Sequence, residues 1–402
     1  PPSAQIDFAK LPFDHPLYIL FSSGTTGSPK CIIHRAGGTL LQHIKELRLH
    51  CDIDQTDRLF YFTTCGWMMW NWLVSGLAAG ATVMLYDGNP FYPDGNALLD
   101  FVEEEEITVF GTSAKYIDAL KTQNYRPAQT HGLTSMRLML STGSPLTPEL
   151  FDFVYDHINS DVQLASISGG TDIVSCFVLG DPTKPVYRGE IQTAGLGMDV
   201  DVFDENGRPC PPGQPGELVC KQPFPSMPIG FWNDGADIRF EKAYFNEYDG
   251  IWHHGDWIEK TEHNGFIIHG RSDATLNPGG VRLGTAEIYR QLNDINEIID
   301  AAAVGQQWDN DERIILFIVM RSGHELDDDV KSRIKSAIRS GASPRHVPAK
   351  IIAVDDLPRT KSGKLSEITI RRVIHGRAPG NLSSLANPDC LTGFKDLPEL
   401  QA

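Results

Sequence analysis

The run Phe21–Lys30, FSSGTTGSPK, collects residues suited to holding a chain of phosphates. The hydroxyls of Ser22, Ser23, Thr25 and Thr26 donate hydrogen bonds, Gly24 and Gly27 free the backbone N–H groups, and Lys30 brings a positive charge. Backbone amides and a lysine wrapped around an anion are what a triphosphate needs. A P-loop requires G-x-x-x-x-G-K-[ST]. Here the glycines stand closer, Pro29 precedes Lys30 and Cys31 follows it, so that motif is excluded. A plain Gly/Ser turn accounts poorly for so long a run.

Five further segments carry chemistry-bearing residues in a fixed order: STGSPL (Ser141–Leu146), SGGTD (Ser168–Asp172), HHGDW around Asp256, GRSDATLNPGGVRLGTAEI (Gly270–Ile288) and LPRTKSGKLSE (Leu357–Glu367). Taken singly, each has a bland reading. A Gly-Asp pair at a hairpin or a lone Gly-Gly is ordinarily a turn, and a basic loop is ordinarily a solvated one. Together they resemble the adenylate-forming superfamily, which includes acyl-CoA synthetases, luciferases and peptide-synthetase adenylation domains.

That resemblance implies residue roles. Phe21–Lys30 would bind the phosphates of ATP, and Gly143, Ser144 and Pro145 would lie against adenine. Thr171 would touch the α-phosphate. Asp172 stands where the family usually has Glu, one methylene longer, and would help hold Mg²⁺. Asp256 would accept the ribose hydroxyls, as suits a carboxylate facing two donors. Arg271 would reach the nucleotide and Asp273 would be the hinge of a swivelling small domain. Gly279 and Gly280 would leave room for the pantetheine of coenzyme A, with Arg282 on the adenylate phosphate or CoA and Arg345 on the CoA phosphates. Lys364 would bridge carboxylate and phosphate during adenylation, and Lys361 would be a solvated neighbour.

The acid itself is read from two kinds of mark. Relatives that activate acetate or propionate tend to carry Trp two residues before the motif threonine; here that position is Gly169, followed by Gly170. Removing an indole leaves space for a small keto acid. The stretches CGWMMWNWLVSGLA, GTSAKYIDALK, SGGTDIVSCF and KDLPEL resemble the branch of the family that activates acetoacetate, with Trp67, Met68, Thr142 and Gly169 as expected pocket residues. The implied reaction is ATP-dependent ligation of acetoacetate to CoA through an acyl-adenylate. The alternatives are a synthetase for another short acid (propionate, butyrate or a different keto acid) and a nucleotide-binding piece without turnover. The family resemblance also implies a subdomain upstream of the phosphate loop that this chain does not include.

The elements that position these residues follow from periodicity. Apolar runs at Leu17–Phe21, Leu59–Thr63, Val83–Tyr86, Thr108–Phe110, Leu138–Leu140 and Val162–Ile167 alternate with amphipathic stretches such as Thr39–Leu49, Ala97–Glu106 and Pro148–His157. This predicts a mostly parallel sheet with helices on its faces. Beyond Gly180, turns rich in Pro and Gly, with Asn206-Gly207 and Asn264-Gly265, predict antiparallel hairpins. After Asp273 the pattern is helix Thr285–Leu292, strand Arg313–Met320, helix Asp328–Ile338, strand Lys350–Val354 and helix Leu365–Ile374. The expected fold class is α/β, with an α/β part over 1–180, a β-rich part over 181–272 and an α+β part over 273–402; the resemblance implies that the first binds ATP, the second completes the nucleotide site and the third is mobile.

Composition narrows the partners. The net charge of −17 over 402 residues opposes non-specific attraction to nucleic acid or anionic membrane. Any polyanionic ligand therefore needs a local cluster of cations. Seven scattered cysteines without C-x-x-C spacing suit reduced thiols and a cytoplasmic location better than a disulfide framework. The pair His253-His254 lacks the companions of a zinc site, and no apolar run reaches transmembrane length. Nothing in the sequence sets an oligomeric state.

Overall fold

The computed structural model describes residues 7–22, 30–280, 283–309, 311–361 and 363–401. Ser23, Gly24, Thr25, Thr26, Gly27 and Arg282 lie outside the described residues.

The chain opens with β1 (Pro16–Ser22) and β2 (Lys30–Arg35), then α1 (Ala36–Lys45), which runs on into a π-helical turn over Glu46–His50. There follow β3 (Arg58–Tyr61), α2 (Met69–Val74), β4 (Thr82–Met84), α3 (Ala97–Glu104), β5 (Val109–Ser113), α4 (Ala114–Thr122), α5 (Pro127–Thr130), β6 (Leu138–Thr142), α6 (Pro148–His157) and β7 (Gln163–Ser166). The five strands from β3 to β7 form one sheet in the order β4-β3-β5-β6-β7, every pair parallel. Both faces are buried. Phe60, Phe110 and Met139 pack with α3, α4 and α6 on one side, and Leu59, Tyr61, Val109, Leu138 and Leu140 pack with Leu47 and Trp72 on the other. Burial on two sides is why these strands read as continuous apolar runs rather than alternating ones.

One expectation is corrected here. Leu17–Phe21 does not join the parallel sheet: β1 pairs antiparallel with β2, and β2 pairs with β13 (Gly230–Phe231). Leu17, Ile19 and Phe21 stay exposed on the outer face of that hairpin, so the apolar run marks a strand without marking its sheet.

Between them the chain forms β8 (Ser168–Gly170), β9 (Ser175–Leu179), β10 (Thr193–Ala194), β11 (Val200–Phe203) and β12 (Gly216–Cys220), and after β13 come α7 (Ile238–Tyr244), β14 (Trp252–Lys260) and β15 (Phe266–Arg271). The orders are β10-β9-β8 and β11-β12-β14-β15, all antiparallel. Asn264 and Gly207 take positive φ in the turns, as Asn-Gly pairs should. Pairing runs across residue 180, because β10 returns onto β9.

The last body holds α8 (Thr285–Arg290), β16 (Ile298–Trp308), β17 (Asp311–Met320), α9 (Asp328–Gly341), β18 (Lys350–Ala353) and α10 (Glu367–Ile374). Val330, Ile334 and Ile338 repeat every four residues and bury one stripe of α9, whose N-terminus is capped by Asp327 accepting from Val330 N at 2.8 Å. The sheet β16-β17-β18 carries α8 and α9 against Ile314, Leu316 and Ile318, and α10 against Ile315 and Phe317. β16 is an 11-residue strand that the alanine-rich run IIDAAAVGQQW does not announce.

Candidate active site

The strand order places the ends of β5, β6 and β7 side by side, with Ser113, Thr142 and Ser166 at their C-terminal tips. This edge of a parallel sheet is where α/β proteins bind ligands. Gly143 turns the chain there with φ +93°, and a Cβ on it would lie 3.7 Å from Trp67. Thr142 Oγ1 donates to Ile167 O at 2.8 Å. Trp67 also meets Tyr61 edge to face at 5.9 Å, and Met68 leads directly into α2. Thr142, Gly143 and Trp67 are thus brought together, with Ser144 and Pro145 next along the turn.

Beside them, the turn Thr171–Val174 joins β8 to β9 and presents Asp172. Lys30 Nζ donates to Asp172 Oδ1 at 2.8 Å, and Tyr244 Oη donates to the same oxygen at 2.5 Å. Lys30 also sits 4.6 Å over the Tyr244 ring, which stacks on Trp252 at 3.8 Å. Burial pushes the Asp172 carboxyl up, but Lys30 and then His254, helped by the bonds from Lys30 and Tyr244, outweigh it and hold the group well below the usual carboxylate range. Burial and the neighbouring Asp172 push the Tyr244 hydroxyl far up, so it remains a donor.

A second acid completes the row. Asp256 follows Gly255, whose φ is +81°, on β14, and Arg271 Nη1 at the end of β15 donates to Asp256 Oδ1 at 3.0 Å. His254 lies between the acids: its Nε2 is 3.7 Å from Asp256 Oδ2, its ring meets Phe177 at 4.8 Å, and burial lowers its pKa. A Cβ on Gly170 would sit 3.4 Å from the His254 ring and 3.6 Å from Asp172 Oδ2, so Gly170 keeps this floor open.

Lys364 arrives from the other body, on the loop between β18 and α10. Its side chain retains solvent access, yet the surrounding walls desolvate it and lower its pKa; Arg271 lowers it further, while Asp256 and Asp172 act against both. Lys364 is therefore within electrostatic reach of Arg271 and both acids. Locally, Lys30, Arg271 and Lys364 outnumber Asp172 and Asp256, inside a chain whose net charge is −17. That is the cationic cluster a polyphosphate requires.

The remaining predicted residues are placed as follows. Ser22 ends β1 with its hydroxyl buried and without a hydrogen-bond partner among the described residues. Gly279 takes φ +61°, and its N–H donates to Asp311 at 3.0 Å; Gly280 ends the same short turn. Asp273 lies in the turn Ser272–Ala274 directly after β15, between the two bodies. Arg345 is exposed on the turn Pro344–His346 and its guanidinium makes no ion pair among the described residues. Gly169 differs from expectation. A Cβ there would meet Ser175 O at 2.2 Å and Cys176 Cα at 2.3 Å, so the glycine permits close approach of β8 to β9 rather than emptying a pocket. Tyr244 and His254 were missed as site residues. Tyr244 belongs to no recognisable run, and His254 stood inside HHGDW without a role. Among the described residues no group of three or more His, Cys, Asp or Glu side chains is arranged to hold a metal, and no helix is long and apolar enough to cross a membrane.

The family model for AMP-binding enzymes matches residues 4–231, more than half of the chain. The chain belongs to the AMP-binding enzyme family. The C-terminal domain model of AMP-binding enzymes matches residues 288–364, ending on the lysine described above. Among individual AMP-binding enzymes, the chain is 62% identical over 395 residues to the acetoacetyl-coenzyme A synthetase of Rhizobium meliloti, covering 98% of this chain and 61% of that one. It is 47% identical over 399 residues to the acetoacetyl-CoA synthetase of Mus musculus, covering 99% and 59%. The structure of acetoacetyl-CoA synthetase from Streptomyces lividans superposes with a TM-score of 0.93 at 42% identity, covering 100% of this chain and 62% of that one. The chain thus spans about three fifths of the length of these relatives. The fold is the adenylate-forming one, with its large AMP-binding part and its C-terminal domain.

Proposed function

We propose that this chain is the catalytic part of an acetoacetate–CoA ligase. ATP and acetoacetate first give acetoacetyl-adenylate and pyrophosphate; CoA then displaces AMP to give acetoacetyl-CoA. The observation that carries the reading is the row of two ion pairs, Lys30–Asp172 and Arg271–Asp256, beside the C-terminal ends of the parallel strands, with Lys364 of the other body within their electrostatic reach. The acetoacetyl-CoA synthetases among its relatives supply the acid.

The first step brings two anions together, since a carboxylate oxygen attacks the α-phosphorus. Its barrier is largely electrostatic, and fixed cations lower it most. Lys30 exchanges its bond to Asp172 for the nucleotide phosphates. Lys364 lies where carboxylate and α-phosphate meet, and its depressed pKa reflects the desolvation that strengthens its field. Thr171 donates to the α-phosphate, Asp256 accepts from the ribose hydroxyls, and Arg271 holds Asp256 in place. Asp172 fits one Mg²⁺: Oδ1 is fixed by Tyr244, and Oδ2 faces the open floor over Gly170. A single carboxylate suits an ion that takes its other ligands from phosphate and water. Bound there, Mg²⁺ neutralises phosphate charge.

Residues 273–402 form the moving unit in this reading, pivoting at Asp273 after adenylation, so that Lys364 withdraws and CoA enters past Gly279 and Gly280. Trp67, Met68 and Thr142 border the acid. The test is acid-dependent exchange of pyrophosphate into ATP across acetoacetate, acetate, propionate and butyrate. The expected result is the highest kcat/KM for acetoacetate. Preference for another acid overturns the substrate, and no exchange with any acid overturns the activity.

A further inference from the structure

The backbone that carries Thr171 and Asp172 is itself held from beneath. Val174, the last residue of their turn, has φ +49°, a left-handed conformation that a β-branched residue rarely takes. Its side chain is wholly buried and its carbonyl accepts from His43 Nε2 at 2.6 Å. His43, on α1, is also wholly buried, and its Nδ1 lies 2.8 Å from Ser75 Oγ. A carbonyl only accepts, so Nε2 carries the proton; burial keeps the ring neutral, so Nδ1 accepts from Ser75. One residue on, Ser175 Oγ donates to the buried Glu46, in the π-helical turn that follows α1. The same helix thus grips both ends of the Val174–Ser175 bend.

We propose that His43 is a positioning residue for adenylation: its Nε2–H holds Val174 in the left-handed conformation and so fixes where Thr171 and Asp172 point. The inference rests on the function proposed above, but neither the family's motifs nor that function requires a histidine at 43. The Ser75–His43–Val174 chain has no other evident purpose. A core position of this kind is filled more simply by leucine, whereas a strained carbonyl needs a donor.

The test compares His43→Leu with His43→Gln, whose amide N–H can reach the place of Nε2. His43→Leu is expected to lower kcat for acetoacetate-dependent ATP–pyrophosphate exchange by about tenfold or more, and CoA transfer to supplied acetoacetyl-adenylate by less than about twofold. His43→Gln is expected to restore most of the loss. In the His43→Leu background, Val174→Gly should recover more exchange than Val174→Ala, because only glycine takes positive φ freely. Should His43→Leu fail to fold, Ser75→Ala, which removes the partner of His43 Nδ1 together with the bond to Asn71 O, should show a smaller loss confined to the same half-reaction. Amide hydrogen exchange over residues 168–176 needs no substrate: it should quicken in His43→Leu and return in His43→Gln. Unchanged amide exchange in His43→Leu, equal loss in both half-reactions, or Val174→Gly no better than Val174→Ala overturns the proposal. A native protein inactive with every acid, but with amide exchange responding as described, overturns the proposed function and leaves His43 as the holder of the turn.

Discussion

Tyr244→Phe removes one oxygen and leaves the rest of its surroundings in place. The ring keeps its 3.8 Å stack on Trp252 and its edge contacts with Phe231 and Phe240, so the core should survive. What is lost is the 2.5 Å bond to Asp172 Oδ1. Lys30 donates to the same oxygen, but in the mechanism proposed above it turns to the phosphates, which leaves Tyr244 as the side chain holding Oδ1. A hydrogen bond to a charged group is worth roughly 1.5–3 kcal/mol net. At about 1.4 kcal/mol per factor of ten, kcat/KM for ATP–pyrophosphate exchange should fall about tenfold to a hundredfold. Transfer from supplied adenylate to CoA should be nearly untouched. Wild-type exchange rates would refute the reasoning, because the carboxylate would then not depend on this donor.

Lys364→Ala should abolish adenylation and spare thioester formation from supplied adenylate, a loss of about 3 kcal/mol or more in the first step alone; single-turnover assays of each half-reaction check it, and equal losses would refute it. Gly169→Ala places a methyl against the Ser175–Cys176 backbone, and overpacking of this kind costs about 1–3 kcal/mol; thermal unfolding should show a lower Tm, and an unchanged Tm would mean that β8 and β9 can part freely. Lys115, on α4, reaches Asp300, on β16, at 3.9 Å and is an ionic tie between the two bodies. Lys115→Ala should change the ratio of the two half-reaction rates by less than about fivefold, as exposed pairs allow, with the difference vanishing at high salt.

Much of this site was legible because phosphate chemistry leaves contiguous marks. Lys30, Thr171, Asp172, Arg271 and Lys364 each sit in a run of glycines and hydroxyls that reads as a unit, whereas Asp256 follows a single glycine in HHGDW. Tyr244 and His43 left no such mark. Each delivers its polar atom from an otherwise ordinary helix, and only the folded chain brings Tyr244 Oη to Asp172 and His43 Nε2 to the carbonyl of Val174. Gly169 was legible as a missing side chain but not as a direction: the sequence shows that an indole is absent, and the backbone of β9 shows where a side chain would have to go. The parallel strands were read from their apolar runs, whereas β1 was misassigned because an apolar run cannot say which sheet receives it. β16 escaped because alanine and glutamine fit a helix as readily as a strand.

Lys364 is carried by the body built on β16–β18, whereas Asp172 and Asp256 belong to the rest of the chain. If the bodies rock, the catalytic centre exists only while they touch, and every measured adenylation rate is an intrinsic rate multiplied by the share of time spent assembled. Substitutions far from any substrate, at Lys115 or in the turn Ser272–Ala274, would then behave as catalytic ones. Agents that slow large-scale diffusion would act on this protein as inhibitors do, without occupying a site.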